Sequence, residues 1–242
     1  MHIHTVLRKG PRSIARSTAA SALIYSFAAS CLAAGTAELG FTSQITQGLT
    51  AAYTRLFGAS VRERLASWGQ FARVQKAAPR VLRLLESGGT ELEALQTVNA
   101  FFNRIPYLPD ATHWSAEDYW ATPAETVASN AGDCEDYSIA KYFLLKEVGV
   151  PMERLRITYV KALRLNQAHM VLAYYATPGS DPLILDNIES RVRPASDRPD
   201  LVPVYSFNDD DVVLVRDARK TSSQQIRAWR DLLAKLEAET RL

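Results

Sequence analysis

The sequence predicts an α+β fold, in which a helical first half is followed by an antiparallel sheet. Two observations lead to this prediction. Before residue 150 the apolar residues recur at the spacing of amphipathic helices. After Pro151 they fall into short β-rich runs that turn residues separate, which is typical of antiparallel strands. The 242 residues are enough to bury a substantial core.

The N-terminus predicts export. Four Arg and Lys residues at positions 8–16 precede an uncharged stretch, residues 17–37, whose apolar centre ends in small residues. This pattern is typical of a secretory signal, here residues 1–37 with cleavage within 33–37. An uncleaved membrane anchor is the alternative, but the many Ser and Ala residues make the stretch only weakly apolar.

The helical half starts after a stretch without clear periodicity. We expect residues 38–59 to form an N-terminal extension and residues 60–242 to form the folded domain. Apolar side chains near helical spacing predict an amphipathic helix over residues 60–78. A short helix over residues 79–89, with proline at its start and paired glycines at its end, should follow. Residues 90–104 begin with a Thr and a Glu spaced as a capping box.

The centre of the chain connects the two halves. Residues 106–122 are rich in proline and aromatic side chains and predict a structured loop, and residues 123–130 predict a short helix. A buried central helix should then cover residues 134–149. The strands and the last helix complete the prediction, with strands at residues 155–163, 168–176, 182–187, 201–208 and 211–215 and a helix at 222–240.

The sequence GDCEDY, residues 132–137, places a cysteine among carboxylates at the start of the central helix. Free N–H groups at a helix start favour a thiolate at Cys134, whereas the acids Asp133, Glu135 and Asp136 oppose it. Acids at a helix start are usually caps, which explains one or two of the three but not the cluster. Either the thiol is inert or a cation offsets the acids. Without the signal, Cys134 is the only cysteine, so no intramolecular disulfide is possible.

The histidines limit the chemistry that this cysteine can do. Zinc is a poor explanation, because only His113 and His169 would remain beside a single cysteine. If Cys134 is a nucleophile, one of the two is its base. His169 opens a predicted strand, and Asp186 ends the next one, where it can orient an imidazole. A lone strand histidine is more often structural, but this ordered Cys, His and Asp set favours catalysis.

The same segments resemble a known family. "DYWATPAET", "GDCEDYSIAKYFLL", "QAHMVLAYY", "LILDN" and "PVYSFN" are similar to the bacterial transglutaminase-like cysteine proteinases, the LapG family, over residues 60–215. The resemblance implies a papain-like, transglutaminase-like fold with Cys134 as nucleophile, His169 as base and Asp186 as orienting carboxylate. It also implies a calcium ion beside the nucleophile, held by Asp133, Glu135 and Asp136.

The resemblance further implies a biological setting. Such enzymes are periplasmic and cut a large repeat-rich surface adhesin in its N-terminal region beside paired alanines, which releases the adhesin and promotes biofilm dispersal. An inner-membrane receptor for cyclic di-GMP sequesters them. We expect no nucleic-acid partner, because the net charge is only +2 and no basic run is interleaved with aromatic residues. Two alternatives stay open: a transglutaminase-type acyl transferase, and a catalytically inactive calcium-binding module.

Overall fold

The computed structural model describes residues 45–77, 91–217 and 219–242. The helices of these ranges are α1 Gln47–Phe57, α2 Val61–Ala77, α3 Glu91–Phe102, α4 Asp110–His113, α5 Pro123–Ser129, α6 Cys134–Glu147 and α7 Arg227–Glu239. The strands are β1 Leu155–Ala162, β2 Gln167–Tyr174, β3 Leu183–Leu185, β4 Arg193–Pro194, β5 Leu201–Phe207, β6 Asp211–Leu214 and β7 Lys220–Ser222. Helices followed by a sheet confirm the α+β prediction.

Within the described ranges the strands form one antiparallel sheet in the order β4-β3-β2-β1-β5-β6-β7. β1 lies at its centre and pairs with β2 along its whole length, from Leu155 opposite Tyr174 to Ala162 opposite Gln167. β3 pairs only with the last three residues of β2, Leu172 to Tyr174. The first half of β2 therefore lies beyond the end of β3, and His169 is in that half.

The central helix α6 packs on β2 and β1 with one side and against α3 and α5 with the other. All its residues from Asp136 to Leu145 are buried. A helix enclosed on all sides needs no amphipathic stripe, which explains why its apolar and polar residues are mixed. The N-terminus of α6, where Cys134 lies, is thus held rigidly between the sheet and the helical layer.

The last helix starts later than the sequence predicts. The expected helix over residues 222–240 begins at Arg227, because residues 220–222 pair with β6 as β7 and residues 223–225 form a 3-10 turn. The buried Ser223 hydroxyl donates to the carbonyl of Asp209 at 2.7 Å and holds this turn in place. α7 then buries Trp229, whose ring stacks on Phe143 of α6 at 5.7 Å.

Other elements also differ from the prediction. α1 lies within residues 38–59, where the sequence shows no clear periodicity. Only Leu49 and Tyr53 of this helix are buried, so it has no continuous apolar stripe. Thr46 caps it by accepting from the N–H of Leu49 at 3.0 Å. The loop over residues 106–122 contains the single turn α4, and the short edge strands β4 and β7 were not expected. The predicted helix over 79–89 and the Thr90 cap fall outside the described residues.

The other helix and strand predictions agree with the structure within a few residues. In the described ranges no helix is both long and apolar enough to cross a bilayer.

Candidate active site

Cys134 is the first residue of α6 and is half-buried. Asp133 is the N-cap residue, and its backbone N–H donates to Oδ2 of Asp136 at 3.3 Å. The other oxygen of Asp136 accepts the N–H of Ala121 at 2.8 Å. Asp136 is fully buried, so it joins the start of α6 to the loop that precedes α5. One of the three acids is therefore a helix cap, as the helix-start pattern predicts.

Gly132 brings a second loop to the start of α6. Its N–H donates to the carbonyl of Pro106 at 3.3 Å, and its carbonyl accepts from Leu108 at 2.9 Å. A Cβ atom at this position would lie 3.0 Å from both Cβ and Oδ2 of Asp136, which is tighter than most Cβ contacts. A larger residue would therefore displace Asp136 by a few tenths of an ångström. The loop continues into α4, whose first residue Asp110 reaches Asp133.

His169 and Asp186 form a buried pair. Nε2 of His169 lies 2.8 Å from Oδ1 of Asp186, and the two residues are 3% and 1% exposed. The same oxygen accepts the N–H of Ile188 at 3.0 Å, while Oδ2 accepts from Arg198 at 2.8 Å. Burial alone would raise the pKa of Asp186, but His169, Ile188 and Arg198 together hold it well below its usual range. Asp186 is thus a carboxylate at neutral pH.

The structure places Cys134 beside β2. The backbone N–H of Met170, the residue after His169, lies against the Cys134 thiol. Since Nε2 of His169 is bonded to Asp186, Nδ1 is the nitrogen left for a second partner, and it makes no hydrogen bond to any described residue. The thiol itself donates to Oε2 of Glu135 at 2.9 Å. Burial and the Glu135 charge raise the pKa of Cys134, so in this arrangement it is a neutral thiol.

The acids around Cys134 form a larger cluster than the sequence predicts. Carboxylate oxygens of Asp110, Asp133 and Asp136 lie within 4.8 Å of one another, and all three residues are buried. Carboxylate oxygens of Asp110, Asp118 and Glu135 also lie within this distance of one another. The same distance separates the ligand atoms of Asp133, Cys134 and Glu135. Burial and mutual repulsion raise the pKa of Asp110, Asp133 and Asp136.

Two oxygens in this cluster lack partners. Oδ1 of Asp133 and Oδ1 of Asp110 are buried, and neither accepts a hydrogen bond from the described residues. Buried carboxylates without partners are costly unless a cation is bound, and an all-oxygen set of this kind suits calcium. The predicted ligands Asp133, Glu135 and Asp136 fit such a site. Asp110 and Asp118 were missed, because nothing in their spacing connects them to residue 134.

The other candidate side chains have packing roles. The ring of His113 lies against Trp114 at 4.2 Å, and burial lowers its pKa. No hydrogen bond of the described ranges joins His113 to Cys134. Trp120 is buried and stacks on Phe207 at 5.7 Å. Trp120 is therefore part of the core packing.

Comparisons with known proteins place the chain in a family. The sequence model of the bacterial transglutaminase-like cysteine proteinases matches residues 72–201. The structure is similar to EGTA-treated Legionella pneumophila LapG with a TM-score of 0.66 and 38% identity, covering 78% of this chain and 96% of that one. For calcium-bound L. pneumophila LapG the TM-score is 0.64 and the identity 39%, over 78% and 98% of the two chains. No curated protein matches the chain. The chain belongs to the family of bacterial transglutaminase-like cysteine proteinases.

Proposed function

We propose that the protein is a calcium-dependent cysteine endopeptidase in which Cys134, His169 and Asp186 form the catalytic triad. The observation that carries the proposal is the buried His169–Asp186 pair on β2 and β3, with the next residue, Met170, against the Cys134 thiol. A nucleophile at a helix start, a base held by a carboxylate and a family of cysteine proteinases support the same reaction.

The reaction follows from this arrangement. Nδ1 of His169 takes the thiol proton, and Sγ of Cys134 attacks the carbonyl carbon of the scissile peptide bond. The backbone N–H of Cys134, in the first turn of α6, is one donor for the oxyanion. His169 then protonates the leaving amine as the C–N bond breaks, which leaves a thioester on Cys134. Water, deprotonated by His169, hydrolyses the thioester. Asp186 fixes the imidazole tautomer and stabilises its cationic form.

Calcium fits the acid cluster, with Asp133 and Glu135 as ligands together with Asp110, Asp136 and Asp118. Bound there, the ion supplies two positive charges that offset the carboxylates around the nucleophile. Glu135 is the residue to which the Cys134 thiol donates in this structure. If Glu135 held the ion, its carboxylate would be less available to accept the hydrogen bond from the Cys134 thiol. The L. pneumophila LapG structures, one calcium-bound and one EGTA-treated, support the choice of ion.

The proposed substrate is the N-terminal region of a large repeat-rich surface adhesin, cut beside paired alanines, so that the adhesin is released and biofilm disperses. The proposed site of action is the periplasm, reached through the signal at residues 1–37, and the proposed regulator is an inner-membrane cyclic di-GMP receptor that sequesters the protease. Family membership and the export pattern of the N-terminus support this setting.

The experiment is cleavage of the N-terminal segment of an adhesin encoded in the same genome. Purified protein with calcium should cut the segment into two fragments, and EGTA or Cys134→Ala should prevent the cut. Addition of a primary amine separates the two chemistries that the thioester allows: hydrolysis gives a free carboxyl terminus, whereas acyl transfer gives the amine adduct. Cleavage by Cys134→Ala, or an amine adduct as the main product, would overturn the proposal.

A further inference from the structure

We infer that Arg198 is a positioning residue for the catalytic carboxylate, and that Asp200 anchors Arg198 in the orientation that this requires. The inference deepens the proposed function and rests on it, since it concerns the residue that orients His169. Neither residue belongs to a motif of the sequence. They lie between the 3-10 turn at residues 195–197 and the start of β5.

The contacts of Arg198 fix its guanidinium plane. Nη2 donates to Oδ2 of Asp186 at 2.8 Å and to Oδ2 of Asp200 at 3.0 Å, while Nε donates to Oδ1 of Asp200 at 3.0 Å. Asp200 thus binds one edge of the guanidinium with both oxygens, a geometry that sets position and plane together. The second proton of Nη2 is left to point at Asp186.

Backbone hydrogen bonds hold this pair in the sheet that carries His169. The N–H of Arg198 donates to the carbonyl of Ala195 at 2.9 Å, and the carbonyl of Arg198 accepts from Leu201 at 3.0 Å. The carbonyl of Asp200 accepts the N–H of Leu163 at 2.8 Å, in the turn between β1 and β2. The anchor is therefore tied to the same hairpin from which His169 projects.

The two carboxylate oxygens of Asp186 have different hydrogen-bond partners. Oδ1 accepts from His169 and Ile188, and Oδ2 accepts from Arg198. Without Arg198, the buried Oδ2 loses this partner, and the carboxylate is held through Oδ1 alone, which leaves it less firmly oriented. The position of the imidazole then varies, which lowers the fraction of complexes in which Nδ1 faces the nucleophile.

The alternative is that the pair only stabilises the loop before β5. Arg198 is 6% exposed, and replacing a buried charged residue usually costs stability whatever its role. The buried Lys141 of α6 also lies near Asp186, and burial lowers its pKa to about 7, so it carries part of a positive charge at neutral pH. Loss of Arg198 thus leaves the Asp186 charge partly compensated, and orientation becomes the property that changes most.

The test compares variants of the full-length protein by steady-state cleavage of the adhesin segment. Arg198→Met should lower kcat by about 10- to 100-fold, as loss of outer partners of a site residue typically does, with KM nearly unchanged. Arg198→Lys should retain part of kcat, because an ammonium keeps the charge but not the fork geometry. Methylguanidinium should partly rescue Arg198→Ala. Arg191→Met is the matched control: Arg191 is exposed and, among the residues that the structure describes, pairs only with Glu189, so kcat should not change.

A second readout needs no substrate. In wild type the Nε2 proton of His169, held against Asp186, should give a downfield resonance in the proton NMR spectrum, and this resonance should broaden or vanish in Arg198→Met. Should Arg198→Met fail to fold, Asp200→Asn carries the test, because it loosens the anchor and keeps the arginine. Full kcat and an unchanged resonance in Asp200→Asn would overturn the inference.

The two proposals fail differently. If Cys134→Ala or His169→Ala cleaves the segment, the proposed triad is wrong whatever Arg198 does. If both are inactive while folded Arg198→Met keeps full kcat, or changes KM alone, the triad stands and the positioning role of Arg198 is wrong.

Discussion

The acid cluster makes a thermodynamic prediction that can be worked from the structure. Two ionised carboxylates 4.8 Å apart, the outer limit found for Asp110, Asp133 and Asp136, repel by about 3 kcal/mol at an effective dielectric constant of 20. Part of this repulsion is relieved by protonation, because burial raises the pKa of Asp133 and Asp136. A bound cation should remove the remainder. The perturbation is calcium removal by EGTA at pH 7.5.

The expected gain follows from mass action. At a calcium concentration about a hundred times Kd, binding to the native state alone adds about 2.7 kcal/mol of stability. For a chain of this length that corresponds to a rise in Tm of about 5 to 10 °C. Magnesium should give a smaller rise, since it requires tighter octahedral geometry. The assay is thermal unfolding followed by circular dichroism, with EGTA, calcium or magnesium.

Asp133→Asn sharpens this test. In EGTA the variant should melt no lower than wild type, because one buried charge has been removed, yet its response to calcium should be largely lost. Asp231→Asn is the matched control. Asp231 is exposed and, within the described part of the chain, pairs only with Arg227 on the same helix, so its calcium response should equal that of wild type. A wild-type protein with no calcium response, or an Asp133→Asn variant with a full one, would refute the role assigned to the cluster.

Three further predictions concern the orienting carboxylate, the close approach at α6 and a buried acid. Asp186→Asn should lower kcat by up to about 10⁴-fold with the fold retained, because an amide stabilises the wrong imidazole tautomer; an unfolded variant by circular dichroism would make Asp186 structural. Gly132→Ala should displace Asp136 and weaken the calcium response in thermal melts, and an unchanged response would contradict the coupling of Gly132 to the acid cluster. Burial raises the pKa of Glu239 from 4.5 to about 7, so between these pH values the folded state binds more protons than the unfolded state. The free energy of unfolding should therefore fall by about 3 kcal/mol as the pH rises from 4.5 to about 7. Urea unfolding of Glu239→Gln should lack this part of the pH dependence, and a wild-type slope in the variant would refute it.

The fold was predictable where a local pattern decides the structure. Apolar periodicity located α2, and turn residues separated the long strands. α1 was missed because it buries only Leu49 and Tyr53, which leaves too weak a stripe to recognise. The late start of α7 was missed because residues 220–222 pair with β6 as a strand. Local propensity does not reveal a pairing between two separate segments.

The site divides in the same way. Cys134, His169 and Asp186 were predicted from residue type, order and resemblance, and the structure brings His169 and Asp186 into contact. Asp110 and Arg198 were not identified, because each joins the site through tertiary packing. Asp110 arrives through the pairing of residues 106–108 with Gly132, and Arg198 through the turn before β5. Their distance along the sequence from Cys134 follows no recognisable motif, so only the structure reveals that they lie near the site.

The central claim is that His169 activates Cys134, and alkylation of the thiol tests it without any substrate. With calcium present at pH 7, iodoacetamide modification of the Cys134 peptide should be followed by mass spectrometry in wild type, His169→Ala and His113→Ala. The account predicts that His169→Ala slows modification by at least about tenfold, while His113→Ala reacts at the wild-type rate. Equal rates in all three proteins, or slowing by His113→Ala alone, would contradict it.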